Sequence, residues 1–354
     1  MPRGFAISRA LKKNLTLLLY LLTACGWLSG APCLADENSG LTKLSEGVYA
    51  RIVDANGNAV GNAGFVVLDQ SVLVFDTHFT PEAGQALLDS IRSVTSKQVR
   101  YVINSHWHAD HTHGNQVFSN ADLIGSINTR KGVLQNDLPS LTRTMGIARK
   151  QLETLRRSVE KEKNTLQIEK LRDQIKAREE YLRTMSGLEI KAPWICVDDS
   201  LVIQEGNRRV RLVYLGVGHT NGDMVLLLPE RKIAFVGDLL FNKAIPNVQD
   251  GDILQWMQTL GKVLNLDAET LVPGHGSVAS KKDVKEFLDY FRELKSLVQT
   301  ALDRGDSIEQ ATRDIRVPEK YASYLFQNLF PSNVQKMYRE LKALQLLKDS
   351  EEDR

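Results

Sequence analysis

The sequence predicts an α/β fold, a sheet-rich core with helices on its outer faces. Three observations carry that reading. Apolar segments with strand or helix spacing follow one another in the order strands, helix, strand, helix, strands, helix, strand. The polar clusters fall at strand ends, where binding groups collect. The composition is that of a globular chain, 42% hydrophobic and 25% charged over 354 residues, a length that suits one large domain or two modest ones. Forty-five Lys and Arg against 43 Asp and Glu leave a formal charge of +2, so no polyelectrolyte partner is implied and no nucleic acid is expected.

The first residues are read as an export signal rather than as part of the fold. Arg3, Arg9, Lys12 and Lys13 precede the apolar run "LTLLLYLLTACGWLSG", and the small-residue stretch "APCLADE" follows. The run is too short and too early to be a convincing membrane span. Two cleavage readings stand. Cleavage after Ala35 makes residues 1–35 a signal peptide and leaves Cys196 as the one cysteine. "LTAC" resembles a bacterial lipobox, which would end the signal at Ala24 and put a lipid anchor on Cys25. The second reading strands Cys33 as a spare thiol in an oxidising compartment, which favours the first. Both place the protein in the bacterial periplasm, soluble or lipid-anchored.

"GVYARIVDANGNAVGNAGFVVLDQSVLVFDTH" reads as short strands broken by Gly, Asn and Asp turns. Thr80-Pro81-Glu82 opens a helix with a capping hydroxyl, a proline at the first helical position and an early acid. Ala83, Ala86, Leu87, Ile91 and Val94 keep helical spacing along it. "VRYVIN" and "DLIGS" are strands, and after a gap come "SLVIQ", "VRLVYLG", "MVLLLP" and "KIAFVGD". A helix near 253–264 and the strand "ETLVPGHG" close the core. The tail, 281–354, reads as a helical extension. An amphipathic helix carries Val284, Phe287, Leu288, Phe291, Leu294, Leu297 and Val298 and is ended by Gly305, and a second stretch covers about 334–347.

The gap, 134–188, carries a heptad seam. Leu134, Leu138, Leu141, Met145, Ala148, Leu152, Leu155 and Val159 step by four and three in alternation, the phase breaks at "EKEKNT", and Ile168, Leu171, Ile175, Leu182 and Met185 resume it. The pattern predicts a coiled-coil-like hairpin of two antiparallel helices turning at 163–165, each arm reaching roughly 30 Å. It is read as a self-packing insertion, with a lid or a homo-oligomer arm as the sharper alternative.

Four of the seven histidines crowd into "INSHWHADHTHG". His106 and His108 lie two apart after a strand and face one way on an extended chain, and Asp110 and His111 follow on a turn. Neutral imidazole and carboxylate are zinc's preferred ligands apart from sulfur. His219 in "GVGHTNGD", Asp238 in "VGDLLF" and His275 in "VPGHG" each fall at the end of a strand, so three further strands are expected to deliver one ligand-type residue apiece from their C-terminal tips. Cys196 sits in apolar "PWICV" and is expected to be an inert core thiol.

With H-x-H-x-D-H, G-H-T-x-G-D, the later G-D and P-G-H-G on the page, the chain resembles the metallo-β-lactamase superfamily over about 47–277, the insertion apart. The resemblance implies a four-layer αββα sandwich over about 41–280 with a dinuclear metal site at one edge, two Zn²⁺ with Fe or Mn as alternatives. By that resemblance His106, His108 and His219 hold the first metal, and Asp110, His111 and His275 the second. Asp238 bridges both, and Asp76 supports the site from beneath. An aspartate at 238, where many true β-lactamases of the superfamily carry cysteine or serine, looks more like the hydroxyacylglutathione hydrolase (glyoxalase II) branch. Basic residues expected of that branch for glutathione are not evident in the tail. His78 and His113 replace the glycines that relatives often carry and are read as solvated or supporting imidazoles near the mouth.

The function implied is that of an exported hydrolase acting on a small-molecule substrate. Two cations about 3.5–4 Å apart share a water, lower its pKa toward 7 and aim the hydroxide, oriented by Asp110, at an ester, thioester, lactone or β-lactam type carbonyl. The alternatives are a non-haem iron oxidoreductase of the same fold and a phosphodiester or sulfate ester hydrolase.

Overall fold

The computed structural model describes residues 40–54 and 57–352. The two signal-cleavage readings, and with them Cys25 and Cys33, lie outside the described residues. Among the described residues, twelve strands form two sheets. The first runs in sequence order: β1 (Leu41–Ser45), β2 (Val48–Arg51), β3 (Ala63–Val67), β4 (Val72–Phe75), β5 (Val99–Ile103), β6 (Asp122–Ser126) and β7 (Ile195–Val197). It is an antiparallel meander as far as β4 and parallel from there to β7. The second sheet is β8 (Ser200–Glu205), β9 (Arg208–Tyr214), β10 (Met224–Leu228), β11 (Ile233–Phe241) and β12 (Thr270–His275), with only β11 and β12 parallel.

The inner faces meet through Val66, Leu73, Phe75, Ile103, Leu212, Leu226 and Phe235, all buried. Helix α1 (Pro81–Val94) covers the outer face of the first sheet, setting Leu87 and Ile91 on Phe65 and Val74. Its start follows from Thr80, whose Oγ1 accepts the Ala83 amide at 3.1 Å, with Pro81 losing no bond at the first helical position. Leu87 is fully buried, and Leu87→Ala should cost about 2–5 kcal/mol. Past the one-turn helix α2 (Ala109–Thr112) and α3 (Ile127–Gly132) lies the insertion. Helices α6 (Ile253–Leu264), α7 (Lys281–Asp303), α8 (Ile308–Asp314) and α9 (Phe330–Glu352) follow in the chain. Of these, α6, α7 and α9 cover the second sheet with Trp256, Phe287, Phe291 and Met337 around Val225 and Val236. The result is the αββα sandwich, and the C-terminal helices are its fourth layer.

The hairpin is α4 (Leu138–Lys161) and α5 (Thr165–Ser186), with Asn164 capping the second arm through the Gln167 amide at 3.1 Å. At ~1.5 Å per residue the arms span about 33–36 Å. Ala148, Leu152, Tyr181 and Met185 are buried along the seam. Leu134 and Leu138 are exposed. They lie in and beside a π-turn, Val133–Asp137, which puts an extra residue into the helical repeat and takes this end out of phase with the heptads. The seam is not self-sufficient either. Ala148, Tyr181 and Met185 share their cluster with Phe79 of the sandwich, and Val60 and Ala109 pack against it.

Two further expectations are corrected. Cys196 is exposed. It lies on β7, a three-residue edge strand on which only Val197 points between the sheets, and the apolar neighbours Trp194 and Ile195 are exposed with it. An apolar context does not distinguish an edge from a core strand. Asp238 is not at a strand tip: β11 continues to Phe241, and Asp238 sits where the register with β12 slips, after Gly237 at φ 52°. The irregularity turns a mid-strand side chain toward the sheet edge.

Candidate metal centre

β5 ends at Ile103, and Asn104, Ser105 and His106 carry the chain to α2, the turn that holds Asp110 and His111. Asp76, just past β4 at φ 60°, ties this segment down. Its carboxylate accepts the Ser105 amide and the Ser105 hydroxyl, both at 2.7 Å, and His111 Nδ1 at 2.9 Å. Asn104 donates to the His111 carbonyl at 3.0 Å and pairs with Asn115, which accepts from Thr77. A left-handed aspartate is uncommon, and this lattice of bonds holds it there.

The seven residues proposed from sequence come together in two adjoining groups. His106, His108, His219 and Asp238 form one, Asp110, His111 and His275 the other, and within each the potential ligand atoms lie within 4.8 Å of one another. Asp238 reaches both: its carboxylate is 3.2 Å from His219 Nε2 and 3.7 Å from His106 Nε2, and 3.2 Å and 3.4 Å from His111 Nε2 and His275 Nε2. Asp110 approaches His275 Nε2 at 3.2 Å and His111 Nε2 at 3.4 Å. Gly274 is required beside them, since a Cβ there would fall 1.7 Å from Asp238 Oδ1. The pattern outside the cluster tests whether cations fit. Four imidazoles have their far nitrogen engaged: His106 Nδ1 by Ser105 Oγ (3.0 Å), His111 Nδ1 by Asp76, His219 Nδ1 by the Asn247 carbonyl (2.9 Å) and His108 Nε2 by Asp250 (3.0 Å). Their other nitrogens turn inward, where His106 Nε2, His111 Nε2 and Asp238 Oδ1 are buried without a hydrogen-bond partner. Burial of unpaired acceptors is costly, and a cation is what this arrangement suits.

The electrostatics agree. Burial pushes the Asp238 carboxyl up, but His275, His111, His219 and His106 outweigh it and hold the group well below the usual carboxylate range. Asp110 is likewise held well below it, against burial, by His111 and His275. Burial lowers His275, yet Asp238 and Asp110 bring it to about 9. Burial dominates at His219, which falls to about 4. Both carboxylates are therefore ionised and ready for cations.

Some residues around the centre were not assigned from sequence. Asp250 and the Asn247 carbonyl, on the loop after β11, orient His108 and His219. Asp223, the last residue of "GHTNGD", accepts the Thr220 amide and hydroxyl at 2.8 and 2.7 Å, and its burial pushes it up to about 7. The motif pointed to Asp223, whereas nothing in "VQDGD" marks Asp250. His78 and His113 join neither group and neither is solvated. His78 is buried at φ 69°, with Nδ1 on the Gly61 carbonyl at 2.8 Å and its basicity lowered to about 3 by burial. His113 is buried against Asp137.

The sequence profile of the metallo-beta-lactamase superfamily matches residues 56–275, more than half of the chain. The chain belongs to the metallo-beta-lactamase superfamily. Among curated superfamily relatives, the type 2 metallo-beta-lactamase of Bacteroides fragilis is 23% identical over 273 residues, 75% of this chain and 90% of that protein. The linear primary-alkylsulfatase of Pseudomonas sp. (strain ATCC 19151) is 22% identical over 266 residues, 72% of this chain and 50% of that protein. The solved metallo-beta-lactamase from Pontibacter korlensis superposes with a TM-score of 0.52 at 18% identity, covering 71% of this chain and 98% of that one. These likenesses agree with the sandwich described above. Hydrolases are prominent among these superfamily relatives, and the two His/Asp groups are a possible metal site.

Proposed function

We propose that the protein is an exported dinuclear zinc hydrolase that acts on an ester, thioester, lactone or β-lactam type carbonyl. The observation that carries this reading is the pair of adjoining ligand groups sharing Asp238. His106, His108, His219 and Asp238 would hold one cation, and Asp110, His111, His275 and Asp238 the other. Two bound divalent cations would supply a water nucleophile ionised near neutral pH and polarise the electrophilic oxygen. The remaining chemistry falls to the chain. Asp110 and His108 are the ligands that reach the surface, their side chains 16% and 14% exposed, so the substrate approaches on their side. The Asp110 carboxylate would orient the nucleophile, and, held well below the usual carboxylate range, it stays ionised to do so. Phe326 stands edge-on to His275 at 5.6 Å, and Trp107 stands edge-on to His108 at 4.3 Å, which walls the approach with aromatic surface. Export rests on the basic and then apolar residues before Ala35.

The second reading, sulfate ester hydrolysis, is favoured by the likeness to the alkylsulfatase. A panel of ester, thioester, lactone, β-lactam, phosphodiester and alkyl sulfate substrates on zinc-loaded protein separates the two. Turnover of a carbonyl substrate that a chelator abolishes is expected. Turnover of alkyl sulfate alone selects the second reading, and a redox-active iron retained through purification overturns both.

A further inference from the structure

The hairpin reaches the second ligand group along three lines. The first is polar. His113, one residue past α2, donates Nε2–H to the Asp137 carboxylate at 3.1 and 3.2 Å, with both side chains buried. Asp137 is the last residue of the π-turn at the hairpin's base. The second is apolar. Phe79 stacks on His113 at 5.5 Å and is buried among Ala148, Tyr181 and Met185 of the hairpin. Ala109, which separates His108 from Asp110 in the chain, packs on the same cluster beside Leu141 and Met145. The third runs through strain. Val60, a β-branched residue at φ 59°, is held against that cluster. The next residue, Gly61, lies so close that a Cβ there would be 2.8 Å from the Asp110 carbonyl and 2.9 Å from the His111 ring.

We propose that the helical hairpin is a positioning element of the second ligand group, with Asp137 its polar anchor. The loop carrying Asp110 and His111 is clasped between the hairpin on one side and Asp76 on the other. The hairpin's packing thereby fixes where those two side chains point. This rests on the two-cation reading. By reciprocity, a cation that needs the loop in place must in turn stabilise the hairpin's root.

The test is chelator competition for zinc, resolving the two binding steps, on wild-type protein and the Asp137→Ala and Met145→Gln variants. Both variants should weaken one step about 10-fold, the lower end for residues behind metal ligands, and leave the other unchanged. Hydrogen exchange of the wild-type protein should slow at 138–148 and 178–188 when the second equivalent of zinc is added. Variants that bind both equivalents like wild type, or exchange at the root that ignores the second equivalent, overturn the proposal. Should Asp137→Ala not fold, Met145→Gln and the exchange measurement decide. A wild-type protein that binds fewer than two zinc ions refutes the two-cation reading itself.

Discussion

Replacing Asp250 with alanine isolates the support of the first ligand group. Asp250 accepts from His108 Nε2 at 3.0 Å, which fixes the tautomer whose Nδ1 lone pair faces the centre, where it meets His219 Nε2 at 2.7 Å. Removing such a partner costs about 10–100-fold in metal affinity. Asp250 is one-third exposed, so water can take over part of the bond, and the loss should lie near 10-fold, about 1.4 kcal/mol. Asp250→Asn, which keeps an acceptor oxygen, should recover most of it. The assay is chelator competition, with the absorption spectrum of the cobalt-substituted protein as a second readout of the ligand field. An Asp250→Ala protein with wild-type affinity and spectrum would refute the argument, because His108 would then be oriented without its carboxylate. Equal weakening of both binding steps would refute it as well, since the carboxylate touches one group only.

Asp238→Asn removes a charge that faces four imidazoles. It should weaken both cations and lower hydrolysis at least ~10²-fold while the fold persists, and circular dichroism with steady-state rates checks this. Metal-free protein should be most stable near pH 6.5, as urea midpoints in chelator at pH 4.5, 6.5 and 9 would show. His275, raised to about 9, contributes fully below its ordinary 6.5 and loses that contribution as pH rises through 9. His219, lowered to about 4, contributes above 6.5 and loses that contribution as pH falls to 4. Trp256→Ala should cost about 3–5 kcal/mol in denaturant unfolding, because the ring is fully buried against Phe291 and its Nε1 donates to the Leu239 carbonyl at 3.1 Å.

The candidate ligand residues were legible because imidazole and carboxylate are poor core fillers, and seven of them stood in short motifs beside apolar strands in a pattern that packing does not explain. Strands and helices were legible where one face is buried, as along α1 and α6. What depends on long-range contact was not. Asp250 meets His108 across 142 positions, and Asn247 acts through a backbone carbonyl that has no sequence signature. The strand "KIAFVGD" runs on through Leu239, Leu240 and Phe241, because the irregularity at Gly237 bends β11 without ending it, and apolar residues after a Gly-Asp pair do not announce that in sequence. Cys196 was misplaced because the sequence does not say which strand lies at a sheet edge. The heptads gave the hairpin, but its grip on Phe79, Val60 and Ala109 came from residues with no periodicity of their own.

Two adjoining groups that share one carboxylate call for two cations. Elemental analysis of the full chain, stripped and then reloaded with zinc and desalted, measures this without reference to any substrate. The shared carboxylate of Asp238 and the inward-turned imidazoles on both sides predict close to two zinc ions per chain, falling toward one when His275 or Asp110 is replaced. A wild-type chain that retains one ion or none, unaffected by changes at Asp110 and His275, would contradict it.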